Sequence, residues 1–459
     1  MRDEARKASA APRNSYELAF RNQFFTPRYV VEFLTDNTLG RTWYEMRQGD
    51  TALVDRCTYL VRRPTEIFLA DGETAPAENV AAATELSREE ALRAPVFVPH
   101  RAKRDPRELR ILDPACGSGH FLLYSFDLLE AIYAEAWDDP DLGPALQRDY
   151  PDSGEFNQQV PRLILAHNLH GIDIDPRAVQ IAALVLWLRA QRSYQDRGIK
   201  AKERPLITWS HIVCAEPMPG ERALRDAYLS GVDLRLRDLV REIWSRMEGV
   251  GETGTLLKIE DEIADTLAKA RREALVPLPA MQMTLQEVNR RPQQMPIVID
   301  AGEARAFWDE AEGKLLAALR QYAEEVSEGA YQRRLFADDA ARGFAFIDAC
   351  RLRYDVVLMN PPFGATSKGA VNYIEHTYTR TKNDLYAAFV ERGLGLLRGR
   401  GLLGAITSRT GFFLTSFQEW REDILMQESR VLAIADLGYG VLDTAMVETA
   451  AYCLEAIQK

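Results

Sequence analysis

The chain has 459 residues, of which 46% are hydrophobic and 27% charged, with a formal net charge of −11. That length gives room for two or three cores and the composition excludes a chain disordered throughout, while the acidic excess counts against a free-standing basic DNA-binding domain unless basic residues cluster or a partner supplies the grip. Five scattered cysteines without a Cys-x-x-Cys pair, six histidines that do not cluster with them, and no apolar run long enough for a bilayer point to a cytoplasmic protein with reduced thiols, no metal site and no membrane association.

Residues 1–14 are charged and Ala-rich and read as frayed. Ser15 opens a helical approach to Phe24-Phe25-Thr26-Pro27-Arg28-Tyr29-Val30-Val31, where Thr26 reads as an N-cap and Pro27 as the first helical position. The aromatic pair serves packing, and the free N–H groups of the helix start are equally a carboxylate site. From Thr51 to His100 the pattern weakens, with an Ala/Glu-rich exposed helix or loop at Ala75 to Arg93. Arg101, Lys103, Arg104, Arg107 and Arg110 then crowd together, as a solvated face or as a phosphate contact.

The clearest strand–turn–helix follows, Ile111-Leu112-Asp113-Pro114-Ala115-Cys116-Gly117-Ser118-Gly119-His120-Phe121. Gly117 and Gly119 let a ligand approach the backbone ahead of a helix N-terminus, although the third glycine of a dinucleotide fingerprint is missing. A second strand ends at Ile172-Asp173-Ile174-Asp175-Pro176, where Asp173 is placed to accept from ribose hydroxyls and Asp175 caps a helix that is apolar over a wide arc. A third strand, His211 to Cys214, ends before Ala215-Glu216-Pro217; the Glu216 carboxylate faces an adenine amino group or water. Glu221 to Leu275 and Ala301 to Glu325 read as helical, with Leu234, Leu239, Ile243 and Met247 on one core face and Phe307, Leu315, Leu319 and Tyr322 on another. A Pro- and Gln-rich stretch, Val276 to Pro296, links them.

A fourth strand, a short run apolar on both faces, begins at Tyr354 and stops at Asn360-Pro361-Pro362-Phe363. Two prolines cannot continue a ladder, so the tetrapeptide is a rigid turn at a C-terminal strand end, where ligands of open α/β sheets sit. An amide oxygen, a fixed carbonyl and a flat ring suit an exocyclic amino group on a planar base. Lys368 to Lys382 reads as a loop over the site and Asp384 to Leu397 as an amphipathic helix. Strands at Gly401 to Thr407, Val431 to Leu437 and Ala450 to Ile457 complete the sheet.

Asp113-Pro114-Ala115-Cys116-Gly117-Ser118-Gly119 and Asn360-Pro361-Pro362-Phe363 together resemble the cofactor and catalytic motifs of amino-group DNA methyltransferases, in the order of the gamma-class adenine-N6 enzymes. The wording around residues 24–34 and 213–220 is similar to the PglX family of BREX phage-defence methyltransferases, and the resemblance runs from about Ser15 to the end. It implies an α/β, Rossmann-like methyltransferase fold with a mostly parallel seven-stranded sheet, a helical insertion and an N-terminal helical segment. The expected division is residues 1–100, 101–220 and 346–459 for the N-terminal segment and the cofactor and catalytic halves, with 221–345 as the insertion. The cofactor implied is S-adenosyl-L-methionine. Thr26 and Pro27 would border its carboxylate, Asp113, Pro114, Gly117 and Gly119 its amino-acid part, Asp173 its ribose, and Ile174 and Glu216 its adenine. Asn360 and Pro361 would accept from the N6 of a flipped adenine in double-stranded DNA, with Pro362 fixing the turn and Phe363 stacking on the base.

Two features depart from that family. Glu216 stands where Asp or Asn is usual, and Ala215 where glycine is common. PglX-family members are also much longer, so the expectation is that the DNA-reading part lies on other residues or on partner defence subunits. The alternative functions are a cofactor-binding scaffold without activity, or a methyltransferase acting on RNA or on protein glutamine.

Overall fold

The computed structural model describes residues 9, 12–21, 24–76, 90, 93–275, 301–324, 330–442 and 447–457. Most of the frayed stretch 1–14, most of the Ala/Glu-rich stretch 75–93 and the whole Pro/Gln-rich stretch 276–296 lie outside them. The chain forms two compact units, Met1–Cys214 with Leu352–Lys459, and Ala215–Arg351.

In the first unit, a two-stranded parallel pair forms from β1 (Glu66–Phe68) and β2 (Val96–Val98). Short, half-buried strands of this kind leave little period-2 signal, which is why the sequence reading has no strands there. The main sheet contains β3 (Ile111–Asp113), β4 (Leu169–Asp173), β5 (His211–Cys214), β6 (Tyr354–Met359), β7 (Leu397–Ser408), β8 (Ser429–Gly438) and β9 (Thr449–Ala456). Its order is β5-β4-β3-β6-β7-β9-β8, parallel from β5 through β7, with β9 antiparallel to both neighbours. This is the Rossmann-like α/β sheet that the motifs imply. Strand β7 begins four residues before the expected Gly401, through an irregular register opposite β6.

The strand order reverses between β3 and β6, which makes their shared C-terminal edge the switch point of the sheet. Ile111 pairs with Val356 and Leu112 with Val357, so Asp113 lies level with Leu358. The glycine turn and Asn360 therefore leave adjacent strands at the same edge.

Helix α1 (Arg28–Thr35) runs through a π turn, Asp36–Gly40, into a further helical segment, Arg41–Met46. The wide turn is held by side chains: the Asn37 amide donates to the carbonyls of Phe33 and Tyr59 at 2.8 Å each, and Asp36 accepts from Tyr59 N and the Tyr124 hydroxyl. Gly40 has no room for a Cβ, which would meet Cys57 Sγ at 2.9 Å. Helix α2 (His120–Asp138) follows β3 and buries Phe121, Leu122, Phe126, Leu129 and Ile132. Helix α3 (Pro176–Asp196) follows β4 and buries only Ala182, Leu186, Ala190, Ser193 and Tyr194. Ile181, Leu184, Trp187 and Leu188 of its wide apolar arc are exposed.

Between β6 and β7 lie a short helix, Val371–Thr377, where the sequence suggested a loop, and helix α4 (Leu385–Leu396). Helix α4 is buried nearly all round rather than amphipathic, because it packs under β7: a Cβ on its Gly393 would meet Met359, Leu403 and Val357.

The regular elements among the described residues of the second unit are helices. Its core gathers Tyr228, Trp244, Tyr322 and Phe336, with Trp244 stacked on Phe336 at 6.1 Å. Leu239, Ile243 and Met247 face that core as expected, but Leu234 is exposed and Leu236 is buried. Leu234 opens the helix Leu234–Arg246, where no preceding turn covers its side chain. None of the described helices is long and apolar enough to cross a membrane.

Candidate active site

The turn after β3 is built by local backbone bonds. Cys116 N donates to Ile172 O of β4 at 2.9 Å, and Gly119 N donates back to Cys116 O at 2.8 Å. Gly117 and Gly119 have φ of +51° and +85°, the left-handed region where a side chain is strained. A Cβ on Gly117 would meet nothing within 4 Å, so the backbone faces open space there.

Two carboxylates line the turn. Asp113 is 2% exposed and accepts from Ala115 N at 3.2 Å. Asp173 accepts from Gly117 N at 2.8 Å through one oxygen and from Asp175 N at 2.9 Å through the other. Burial pushes the Asp113 carboxyl well above the ordinary range, and the nearby Asp173 adds to the effect. Burial also raises Asp173, offset by the bonds from Asp175 and Gly117 N–H. Among the described residues neither carboxylate makes an ion pair; their partners are the backbone N–H groups of Ala115, Gly117 and Asp175. Pro114 is buried and Ile174 half-buried beside them. Asp175 caps α3 as expected, accepting from Arg177 N at 3.0 Å and pairing with the Arg177 guanidinium, which lowers its pKa.

Asn360 leaves β6 with its amide turned toward the N-terminal segment. Its Nδ2 donates to Thr26 Oγ1 at 3.0 Å and reaches Phe24 O at 3.5 Å. Its Oδ1 is buried and accepts no hydrogen bond among the described residues. A buried acceptor without a donor is costly, and a ligand amino group would satisfy it. Thr26 therefore does not cap α1. Pro27 occupies the cap position with no side-chain bond, and its carbonyl accepts from Val30 and Val31 N. The Thr26 hydroxyl is used by Asn360 instead, a partner 334 positions away that no local reading could show.

The aromatic pair joins the two motifs. The Phe24 ring meets Phe363 edge-on at 5.7 Å, and Phe25 meets His120, at the start of α2, edge-on at 4.9 Å. Burial holds the His120 imidazole below its ordinary range, so it is neutral near pH 7. Pro361 is buried and Pro362 half-buried, and half-buried Phe363 also leans on Tyr386 at 6.3 Å.

A residue that the sequence reading passes over fixes the far side of this turn. Asp384 Oδ1 accepts from Gly364 N at 2.8 Å and from Tyr386 N at 3.2 Å, while Leu385 N donates to Gly364 O at 3.0 Å. Gly364 has φ +89°, and this clamp closes the turn that follows Phe363. Burial raises the Asp384 carboxyl to about 6 against the pull of those N–H groups. An Asp before Leu385-Tyr386 is legible as a helix cap, but not as the anchor of a glycine twenty residues earlier.

Glu216 is half-buried and belongs to the second unit, two residues past β5. The basic run 101–110 is bound within the first unit. Arg101 pairs with Glu45 and Glu455, Lys103 with Asp139 and Asp141, Arg104 with Asp355, and Arg107 with Asp105 and Asp149. Arg104 and the Arg110 backbone N–H hold Asp355 near the N-terminal end of β6, opposite the edge that carries Asn360. No group of three or more potential metal ligands occurs among the described residues.

The model of the Eco57I restriction-modification methylase family matches residues 167–441, and that of the MmeI DNA-methyltransferase domain matches residues 101–219. The adenine-specific methyltransferase BrxX of Escherichia coli O9:H4 (strain HS) is 24% identical over 459 residues, covering 96% of this chain and 31% of that protein. The adenine-specific methyltransferase PglX of Lacticaseibacillus casei (strain Zhang) is 22% identical over 443 residues, covering 94% of this chain and 29% of that protein. The chain thus spans about three tenths of the length of these relatives. The DNA-bound ATP-dependent Type ISP restriction-modification enzyme LlaBIII aligns with a TM-score of 0.43 at 12% identity, over 94% of this chain and 18% of that one.

Proposed function

We propose, for a chain that belongs to the Eco57I restriction-modification methylase family, that it transfers a methyl group from S-adenosyl-L-methionine to the N6 amino group of an adenine flipped out of double-stranded DNA. The observation that carries this reading is the Asn360 carboxamide. Its nitrogen is committed to Thr26 and Phe24, and its buried oxygen is left as an acceptor at the switch point of the sheet. An adenine amino group offers two donors. One goes to Asn360 Oδ1 and the other to the Pro361 carbonyl, whose direction Pro362 fixes, and the nitrogen lone pair then points out of the base plane. Phe363 stacks on the base.

S-adenosyl-L-methionine supplies the electrophilic methyl on a sulfonium when bound. The residues that would hold it fit a cation: among the described residues Asp113 and Asp173 are carboxylates without a cationic partner, and the glycine turn leaves open space at Gly117. Asp113, Pro114, Gly117 and Gly119 would take the amino-acid end, with Thr26 and Pro27 bordering its carboxylate. Asp173 would hold the ribose hydroxyls and Ile174 would pack on the cofactor adenine. Transfer to an oriented nitrogen needs positioning more than acid–base chemistry. The setting is phage defence or restriction-modification in the cytoplasm, with partner defence subunits supplying sequence recognition.

Offering tritiated cofactor with duplex DNA, RNA and protein side by side tests the proposal. Label appearing in DNA as N6-methyladenine, and vanishing in Asn360→Ala, supports it. Equal labelling by both proteins, or label confined to RNA or protein, overturns it.

A further inference from the structure

The loop after β7 carries two apolar side chains that the fold does not use. Phe413 is 68% exposed and Leu414 is 50% exposed, whereas the preceding Phe412 packs edge-on against Trp420 and Tyr452 at 5.4 and 5.5 Å. The loop is well anchored. The Arg421 guanidinium donates to the carbonyls of Gly411 and Leu414 at 2.7 Å each, and Phe413 N and Leu414 N both donate to Thr410 O. Ser408 caps its first turn, and the Arg409 guanidinium lies 5.4 Å from the centre of the Phe413 ring.

This loop adjoins the proposed base site. It leaves the C-terminal end of β7, next to β6, and packs on the start of α4: Tyr386 stacks on Phe417 at 5.5 Å and lies 6.3 Å from Phe363, and the Asn383 amide donates to Ser416 O. Lys368 and Lys382, on the segment between Phe363 and α4, are exposed. The edge thus combines an acceptor for a flipped base, basic side chains suited to phosphates, and a rigid apolar tip.

We propose that Phe413 and Leu414 form a wedge that enters the DNA base stack and fills the gap left by the flipped adenine. The inference rests on the function proposed above. Extruding a base opens a hole flanked by two π-faces, and an apolar wedge recovers part of the lost stacking. The same tip is superfluous on a single strand, where no stack needs to be held open.

That asymmetry is the test. The double variant Phe413→Ser/Leu414→Ser is compared with the unsubstituted chain for tritiated methyl transfer to a duplex and to the same DNA as separated strands. The rate on the duplex should fall about tenfold or more, the scale of a lost base–aromatic stack, while the rate on single strands and the thermal midpoint stay unchanged. Equal loss on both substrates, or no loss on the duplex, overturns the wedge and leaves the methyltransferase reading standing. No transfer by the unsubstituted chain to either DNA overturns that reading, and the wedge with it.

Discussion

The side-chain nitrogen of Asn360 donates to the hydroxyl of Thr26 at 3.0 Å. This one bond ties the end of β6 to the N-terminal segment and sets which end of the carboxamide remains as an acceptor. Thr26→Val keeps the shape and removes the acceptor. A neutral hydrogen bond of this kind is worth about 1 kcal/mol, so turnover should fall roughly fivefold to tenfold. Thr26 also borders the proposed cofactor carboxylate, so calorimetry measures the effect on cofactor affinity separately from turnover. A variant with full turnover would show that the amide needs no such anchor.

Asp173 is oriented by two backbone N–H groups, from Gly117 and Asp175. Asp173→Ala removes the proposed ribose acceptor and also leaves those donors without their partner. Binding of S-adenosyl-L-methionine should weaken by two orders of magnitude or more, at about 1.4 kcal/mol per tenfold. Asp173→Asn keeps an acceptor oxygen and should recover part of that loss. Unchanged affinity in the alanine variant would remove the ribose assignment.

The Asp384 carboxyl titrates near pH 6 in the folded protein, above its ordinary value of 3.8, because it is buried. The folded state therefore holds this proton more tightly than the unfolded chain does. The contribution to stability is complete below about pH 4 and is lost as pH rises through 6. Asp384→Asn keeps an oxygen for Gly364 N and Tyr386 N and carries no charge. At pH 8 it should be more stable than the unsubstituted protein by roughly 3 kcal/mol, since each tenfold change in proton affinity is worth about 1.4 kcal/mol, and the gap should close toward pH 4. Thermal midpoints across that range decide it. A gap independent of pH would mean that the carboxylate is not desolvated.

How much of this was legible in sequence depended on the range of each signal. The β3 turn and the β6 turn announce themselves locally, since Gly117, Gly119 and a double proline punctuate apolar strands. Asp173 follows from position, once a strand has been placed after the glycine turn. Thr26 was singled out for a local capping role and proved to bond a residue 334 positions away. Asp384 was read only as part of a helix start, yet it holds Gly364. Side chains whose partners are distant leave no periodicity or spacing to detect. Burial misled for the same reason: the apolar arc of α3 and Leu234 look like core until the neighbours that would cover them prove absent among the described residues.

The basic run 101–110 makes a contrast that experiment can separate. As a phosphate contact, each cation would add about 0.9 to the slope of log affinity for DNA against log salt. In the structure Arg104 instead pairs with Asp355, a β6 residue that is 4% exposed and also accepts from Arg110 N at 2.8 Å. Removing one partner of a buried pair strands the other charge, so Arg104→Ala should cost about 2–3 kcal/mol of stability. Part of the loss is spared because Arg398 Nη1 stands 3.6 Å from the same carboxylate. The salt slope of duplex binding should stay where it was. Asp355→Asn removes the stranded charge and should restore much of the stability of the Arg104→Ala protein. A variant that keeps its thermal midpoint but loses one unit of salt slope would move Arg104 from the sheet's ion pairs to the DNA.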